Sequence, residues 1–321
     1  MLVDAFGRTI DYLRVSVTDR CNLRCEYCMP PEGVPRLAHG DILTYEEMEA
    51  FLRVAVAEGI RHVRLTGGEP LARQGVVSLV AKLAAIPGLE DLSLTTNGLL
   101  LEGFGEALRA AGLQRVNLGI SSLDPDTYRA ITRGGDLQAA LRGLDAAVRW
   151  FSPVKINVVV MRGISDDPAP FLDLTRRHPV EVRFIEYMPI GPKDSGTAYV
   201  PMGEVLRRLE SLGPYEPVGD PVGNGPANLR RRIPGAPGSF ATITPVSEHF
   251  CAACSRLRLT SDGHLRLCLL VRGEVDVKPA LRPGPDPERI RELLHRSVAA
   301  KPAGIAQGTD VQGRGMSQIG G

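Results

Sequence analysis

Between residues 11 and 187 the chain alternates short apolar or β-branched runs with longer segments of helical period, a pattern that points to a parallel sheet with covering helices. The runs at 12–18, 62–67, 91–96, 115–121, 154–160 and 180–186 read as strands. The segments at 44–59, 74–86, 102–112 and 136–150 return apolar residues every three or four positions and read as helices. Thr44 and Glu47 are spaced as a capping box opening the first helix, and Gly59 and Gly112 stand where helices stop. Six β/α units in series predict a sheet curled into a barrel or a partial one. A helix near 201–212 follows, and then Gly and Pro punctuation from 213 to 238. Short extended pieces come next at 228–233, 239–245, 255–261 and 264–269, followed by a helix near 286–300 and a Gly-rich tail. This last hundred residues is too short for a second barrel and is expected as an irregular extension on the first region. No repeat of 20–50 residues and no low-complexity tract is present.

At 321 residues the chain can bury a full core, and its formal net charge of +1 provides no long-range field toward nucleic acid or an anionic membrane. An anionic ligand must therefore meet a local cluster of cations. No apolar run approaches the ~18 residues of a membrane span, and residues 1–15 carry Asp4 and Asp11 with no continuous apolar core, so a cytoplasmic location is expected.

All six cysteines fall into two groups of three: Cys21, Cys25 and Cys28, then Cys251, Cys254 and Cys268. Within either group a disulfide would close a tiny loop, and each count is odd, so metal or cluster ligation is the better reading. A four-iron cluster usually takes four thiolates, and three leave one iron open to another ligand. The first triplet follows the first strand, at the mouth where barrels of this kind carry chemistry. A structural zinc completed by His39 or His62 is the alternative there, and one completed by His249 or His264 is the alternative at the second triplet. Arg256 and Arg258 follow Cys254 on an extended run, so both guanidinium groups share one face and suit a phosphate or carboxylate. Arginine is abundant, 33 of 38 basic residues, and the pair is informative because of its cysteine neighbours.

The stretch CNLRCEYC, with Tyr27 before the third cysteine, and TGGEP at 66–70 resemble the radical S-adenosylmethionine superfamily. With no side chain to block close approach, the Gly67–Gly68 backbone can offer polar groups to the methionyl end of that cofactor. Both triplets, residues 6–30, RFIEYMP at 183–189 and the terminal RGMSQIGG together resemble the GTP 3′,8-cyclases of molybdenum cofactor biosynthesis, over residues 6 to 321.

The resemblance implies a partial (β/α)6 barrel, TIM-like, whose open side is closed by the C-terminal region, with a 4Fe–4S cluster at each end of an enclosed channel. It implies a radical barrel over residues 1–215 with the first cluster on Cys21, Cys25 and Cys28, where S-adenosylmethionine is cleaved reductively. Residues 216–321 would carry the second cluster on Cys251, Cys254 and Cys268, where guanine binds. The 5′-deoxyadenosyl radical would take H3′ of GTP, and C3′ would join C8. Reduction would then give 3′,8-cyclo-7,8-dihydroguanosine triphosphate.

Position by position, the resemblance assigns Tyr27, Gly67, Gly68 and Met188 to S-adenosylmethionine. It assigns Arg14, Arg64, Thr95, Lys155, Arg183, Arg256 and Arg258 to GTP, and gives Arg256, Arg258 and the terminal Gly320–Gly321 a catalytic part. Lys155, one of five lysines, lies in an apolar strand and needs an anionic partner. Arg14 can alternatively pair on a strand edge, and Met188 can be core. Gly119 departs from the family pattern, standing where a serine contacts S-adenosylmethionine. Backbone and water, or Ser121 about 6.5 Å along the strand, can replace that hydroxyl. Ser255 replaces a common asparagine. The resemblance further implies a flavodoxin- or ferredoxin-like electron donor, hand-over to cyclic pyranopterin monophosphate synthase, and a homodimer. Two other readings stay open: a radical S-adenosylmethionine enzyme acting on a peptide or RNA with an auxiliary cluster, and a zinc-stabilised binding protein.

Overall fold

The computed structural model describes every residue except 36, 189, 191–197, 220–227, 306–313 and 321. Strands and helices alternate as β1 (Tyr12–Ser16), α1 (Tyr45–Glu58), β2 (His62–Thr66), α2 (Val76–Ala84), β3 (Asp91–Thr96), α3 (Leu101–Ala110) and β4 (Arg115–Gly119). The series continues with α4 (Pro125–Thr132), α5 (Leu137–Trp150), β5 (Val154–Val160), α6 (Ala169–Arg177), β6 (Val180–Glu186) and α7 (Met202–Ser211). All six anticipated strands are present. The capping box forms as expected: Glu47 N–H donates to Thr44 Oγ1 at 3.1 Å, and Thr44 N–H donates to Glu47 Oε2 at 2.7 Å. Helices α4 and α6 are additions to the sequence reading, each too short to display a long apolar period.

β1 to β6 lie side by side in chain order, all parallel. The C-terminal pieces are strands of this same sheet and not a separate irregular layer. β9 (Ser239–Ile243) runs parallel to β6, and β8 (Asn228–Arg232) and β7 (Glu216–Pro217) continue antiparallel beyond it. On the other edge β10 (Arg256–Leu259) runs parallel to β1, followed antiparallel by β11 (His264–Arg266) and β12 (Glu274–Asp276). The result is an open sheet of twelve strands, a partial barrel whose two edges are both extended by the C-terminal region. The last helix, α8 (Pro287–Ala299), lies against α1, where Arg291 and His295 both reach Glu58, at 2.7 and 2.8 Å. No helix among the described residues is long and apolar enough to cross a membrane.

The two faces of the sheet differ in chemistry. Leu13, Val15, Leu65, Leu94, Leu118, Ile156, Val158, Val182 and Phe184 belong to the apolar core under the helices. Arg14, Arg64, Thr95, Lys155, Asn157 and Arg183, at the alternate positions, line an internal cavity. A parallel sheet ordinarily reads apolar on both faces, so a polar inner face marks a chamber for a polar ligand.

The mouth of the chamber depends on a tight backbone crossing. The loop after β1 passes over the end of β2, with Gly68 N–H donating to Thr18 O and Glu69 N–H to Arg20 O, both at 2.7 Å. Gly67 holds φ +145°, and a Cβ there would lie 2.2 Å from Thr18 O. A Cβ on Gly68 would lie 2.2 Å from Arg20 O. The absence of side chains therefore serves first to seat the loop that leads into Cys21. Gly68→Ala should destabilise the protein by about 1–3 kcal/mol through this overlap. Its urea midpoint and retained iron should both fall, whereas Gly40→Ala, with no atom within 4 Å of the added Cβ, should match wild type in both.

Candidate active site

The first triplet sits on the turn that follows β1. Cys28 N–H and Met29 N–H both donate to Cys25 O, at 2.9 and 3.1 Å, closing the turn on itself. Arg24 N–H to Thr132 O and Glu26 N–H to Ile131 O fasten it to α4. Glu69, fully buried, fixes the neighbouring strand ends by accepting from Leu71 N–H, Asn97 N–H and the Thr96 hydroxyl at 2.8–3.0 Å. Burial pushes its carboxyl up to about 7 against those three donors. Asn97 in turn directs its amide to Asn22 Oδ1 at 2.7 Å and toward Cys21 Sγ at 3.8 Å.

Cys21, Cys25 and Cys28 line a cavity of about 280 Å³ together with Tyr27, Gly67, Gly68 and Met188. All six cysteines are free thiols. Burial, then the charges of the neighbouring cysteines, pushes Cys25 up to about 12 and Cys28 further up. Three thiols gathered in this way need a cationic centre to hold them as thiolates, which an iron–sulfur cluster provides.

The second triplet occupies an adjoining cavity of about 90 Å³ lined by Cys251, Cys254, Cys268, His249 and Lys301. Phe250, Arg256 and Arg258 form part of the wall of both cavities. The segment entering this triplet is pinned by the buried Glu186, which accepts from Val246 N–H at 2.9 Å, Ser247 N–H at 3.0 Å and the Ser247 hydroxyl. Burial raises the Cys254 thiol, but Lys301, Arg256 and Arg8 together bring it below the ordinary value. β1 and β10 run parallel. The first triplet follows the C-terminal end of β1, and Cys254 precedes the N-terminal end of β10. The two triplets therefore sit at opposite ends of neighbouring strands, and the five residues of β1 rise roughly 16 Å between them.

Of the four histidines considered as zinc ligands, His249 alone borders a cysteine-lined cavity among the described residues, and its Nδ1 is bonded to Pro245 O at 2.7 Å.

Between the triplets lies a field of cations. Arg258, Arg14 and Arg64 are register partners across β10, β1 and β2, and Lys155 and Arg183 project from β5 and β6. With Arg115 and Arg256 they make seven cationic side chains lining the larger cavity, against one carboxylate, Glu186, among its described lining residues. Tyr12 lies between two of them, its ring centroid 5.4 Å from the Arg64 guanidinium and 5.9 Å from that of Arg256. Asp91 pairs with Arg115, and Glu181 pairs with Arg183 at 2.6 Å. Burial, then the Arg258 and Arg64 charges, lowers Arg14 well below its usual value. Burial, then Arg183, lowers Lys155 to about 7, and Arg258 falls to about 10 by burial and Arg256. Thr95 Oγ1, Asn157 Oδ1 and Arg183 Nη2, buried and on this wall, have no hydrogen-bond partner among the described residues. A buried wall of this composition fits an absent polyanion with polar edges.

The tail enters the same space. Met316 lines the larger cavity, a Cβ on Gly315 would lie 3.3 Å from Cys28 O, and Arg258 donates to the carbonyls of Ile319, at 3.3 Å, and Gly320. Gly320 has φ +71°, and a Cβ there would meet Thr66 Cγ2 at 2.9 Å. Arg314 anchors the tail on Asp262 and Glu274, each at 2.9 Å. Arg258 therefore serves the tail as well as the cavity wall. Gly321 lies outside the described residues.

The structure thus brings together on one wall every other candidate named from the sequence: Arg14, Tyr27, Arg64, Gly67, Gly68, Thr95, Lys155, Arg183, Met188, Arg256, Arg258 and the first cysteine triplet, with the second triplet next to it. Gly119 also lines the cavity, and Ser121 does not. The Ser121 hydroxyl donates instead to Tyr27 Oη at 3.4 Å. Sequence reasoning missed Arg115, Asn157, Asn97, Glu69 and Lys301. The first two were accessible from strand alternation, since Arg115 opens β4 and Asn157 follows Lys155 by two.

A family model described as the radical SAM superfamily matches residues 15–175, and one described as Molybdenum Cofactor Synthesis C matches residues 180–307. A GTP 3′,8-cyclase of Moorella thermoacetica is 50% identical over 323 residues, covering 99% of both chains. Another, from Geobacter sulfurreducens, is 51% identical and covers 94% of this chain and 93% of its own. Among solved structures, Streptococcus suis SuiB bound to S-adenosylmethionine superposes with a TM-score of 0.61 at 14% identity, covering 84% of this chain. The chain spans 63% of that structure's length, and the likeness is one of fold.

The depressed Lys155 has a measurable linkage. Its folded-state value of about 7 lies below the ordinary 10.5, so the unfolded chain binds more protons between those limits. Stability of the ligand-free protein should therefore rise with pH across that window. Inorganic triphosphate should restore the charge and be bound with proton uptake near pH ~8, read by calorimetry in buffers of different ionisation enthalpy. Lys155→Met should lose that uptake, and equal uptake in wild type and variant would remove Lys155 from the anion site.

Proposed function

Because the chain belongs to the GTP 3′,8-cyclase family of the radical S-adenosylmethionine superfamily, we propose that GTP lies along the cationic wall between the two cysteine triplets. The protein is an enzyme of molybdenum cofactor biosynthesis, a radical lyase that joins C3′ of GTP to C8, and its cofactors are two 4Fe–4S clusters and S-adenosylmethionine. The observation that carries the placement is the pair of adjoining cavities, one lined by the first triplet and seven cations and the other by the second triplet, with Arg256 and Arg258 in the wall of both.

On this reading Cys21, Cys25 and Cys28 hold three irons of one cluster, and Cys251, Cys254 and Cys268 hold three of the other. When bound, the first cluster and S-adenosylmethionine supply one-electron cleavage to a 5′-deoxyadenosyl radical. The chain's own work is to bind and exclude. Tyr27, Gly67, Gly68 and Met188 shape the end that receives S-adenosylmethionine. Arg14, Arg64, Lys155 and Arg183 hold the triphosphate, and Thr95 supplies an unspent hydroxyl to the nucleotide. Arg256 and Arg258 orient the base end, and the tail, whose Ile319 and Gly320 carbonyls accept from Arg258, fills space that water would otherwise enter, with a catalytic part for Gly320 and Gly321. Residues 1–215 then serve the radical source and residues 216–321 the guanine end. The family resemblance extends this reading to a cytoplasmic homodimer that takes its electron from a flavodoxin- or ferredoxin-like donor and passes its product to cyclic pyranopterin monophosphate synthase.

An RNA substrate would call for a cationic groove open to the strand. Lys155, Arg183 and Arg258 are only 4%, 3% and 7% exposed, which favours a small polyanion enclosed within the sheet.

Reduced protein given S-adenosylmethionine and GTP deuterated at C3′ should place deuterium in 5′-deoxyadenosine. Cleavage without label transfer would mean that GTP is not the hydrogen donor. Cys254→Ala should retain some S-adenosylmethionine cleavage and lose cyclisation. Unimpaired cyclisation in that variant would separate the second triplet from the substrate.

A further inference from the structure

Lys301 is 3% exposed, in a chain with five lysines. It follows α8, far in sequence from either triplet. Its Nζ donates to Arg256 O at 2.8 Å and to Leu267 O at 2.6 Å. Arg256 stands two residues after Cys254, and Leu267 immediately precedes Cys268, so the ammonium is held between the two segments that carry these cysteines. It borders the small cavity together with all three cysteines of this triplet.

The neighbourhood is built to keep it there. Arg8, paired with Asp4 at 2.6 Å, reaches Cys251 O and Ala303 O at 2.8 Å and Pro302 O at 2.6 Å. The N-terminal arm thereby ties the first cysteine of this triplet to the residues that follow Lys301.

On the segment that carries the first triplet and the turn it packs against, Arg24 and Arg133 are placed differently. Arg24 donates to Cys21 O at 2.6 Å and Arg133 to Arg24 O at 2.8 Å, so both serve backbone carbonyls. Arg133 is exposed and Arg24 partly so. Solvent screens exposed charges, whereas a desolvated ammonium beside sulfur acts at nearly full strength.

We propose that Lys301 is a positioning residue for the second iron–sulfur cluster, and that its buried ammonium, fixed between the Cys254 and Cys268 segments, raises that cluster's reduction potential. A cation against the thiolates favours the state carrying one more electron, and hydrogen bonds to cluster sulfurs act in the same direction. The proposal rests on the assignment of Cys251, Cys254 and Cys268 as cluster ligands.

The test uses full-length, anaerobically reconstituted protein and redox titration followed by electron paramagnetic resonance. The two signals are assigned with variants in which one triplet or the other is replaced by alanine. Lys301→Gln should make reduction of the second cluster at least tenfold less favourable, ~59 mV for one electron, with the first cluster unmoved. Lys301→Arg should recover most of the shift. An unchanged second potential in Lys301→Gln, or equal shifts in both clusters, would overturn the proposal. If Lys301→Gln holds no second cluster, Lys301→Arg decides: a cluster at the wild-type potential supports it, and a lowered potential or no cluster overturns it. Wild-type protein with about four irons instead of about eight would refute the ligand assignment itself and the proposal with it, a result seen before any variant is made.

Discussion

The constraint on which the rest depends is the burial of cations on the inner face of a parallel sheet. Each charge taken from water costs several kcal/mol unless it is paired, and like charges on adjacent strands add to the cost. The depressed Arg14, Lys155 and Arg258 record that cost directly. Asp91 and Glu181, near the starts of β3 and β6, offset part of it, and Tyr12 separates Arg64 from Arg256. The compensating stability comes from the other face, where the alternate residues of the same strands pack under the helices. A polyphosphate is then stabilising as well as bound, since it brings the charge that the wall lacks.

The order of the strands turns this wall into a chamber with two different ends. A parallel neighbour for β1 drawn from the C-terminal region reverses the order of ligand and strand: cysteine after strand on β1, cysteine before strand on β10. Sequence separation of more than two hundred residues becomes the length of one short strand. The cations midway along these strands, Arg14 and Arg258, then lie between the two triplets. The tail adds a third connection, because Gly315 lies against the Cys28 backbone while the carbonyls of Ile319 and Gly320 engage Arg258.

Much of this was legible before any coordinates. Short apolar and β-branched runs located the six central strands, and the family resemblance singled out Arg14, Arg64, Lys155 and Arg183. The spacing of each triplet indicated a cluster with an open position. The Gly67–Gly68 pair was legible as a close approach, although the approaching group proved to be the chain's own Thr18–Arg20 backbone. What escaped was set by long-range partners with no local signature. Lys301 and Arg8 act on backbone carbonyls, Arg8 on one 243 residues away, and any residue type presents the same carbonyl. Glu69 lay in plain sight in TGGEP, but its role requires Thr96 and Asn97 from the next strand. Strands β8 to β11 were legible as short extended pieces, whereas β7 and β12, of two and three residues, are too short for an alternation to be distinguished from a turn.

Gly119 shows how a missing side chain is absorbed by its surroundings. A Cβ there would find nothing nearer than Thr96 O at 3.9 Å, so the glycine is not demanded by space. Ser121, the nearest hydroxyl on the strand, is committed elsewhere: it donates to Tyr27 Oη at 3.4 Å and accepts from Val159 N–H at 3.3 Å. Its hydroxyl thus orients the aromatic ring beside Cys25 and does not face the ligand. Directly across the ladder from Gly119 stands Asn157, which lines the cavity and whose Oδ1 has no partner among the described residues. Polar capacity that one strand has given up is thereby present at the same level on its neighbour. The two side chains differ in reach, and the shorter strand surface at Gly119 leaves room for the longer amide to turn toward it.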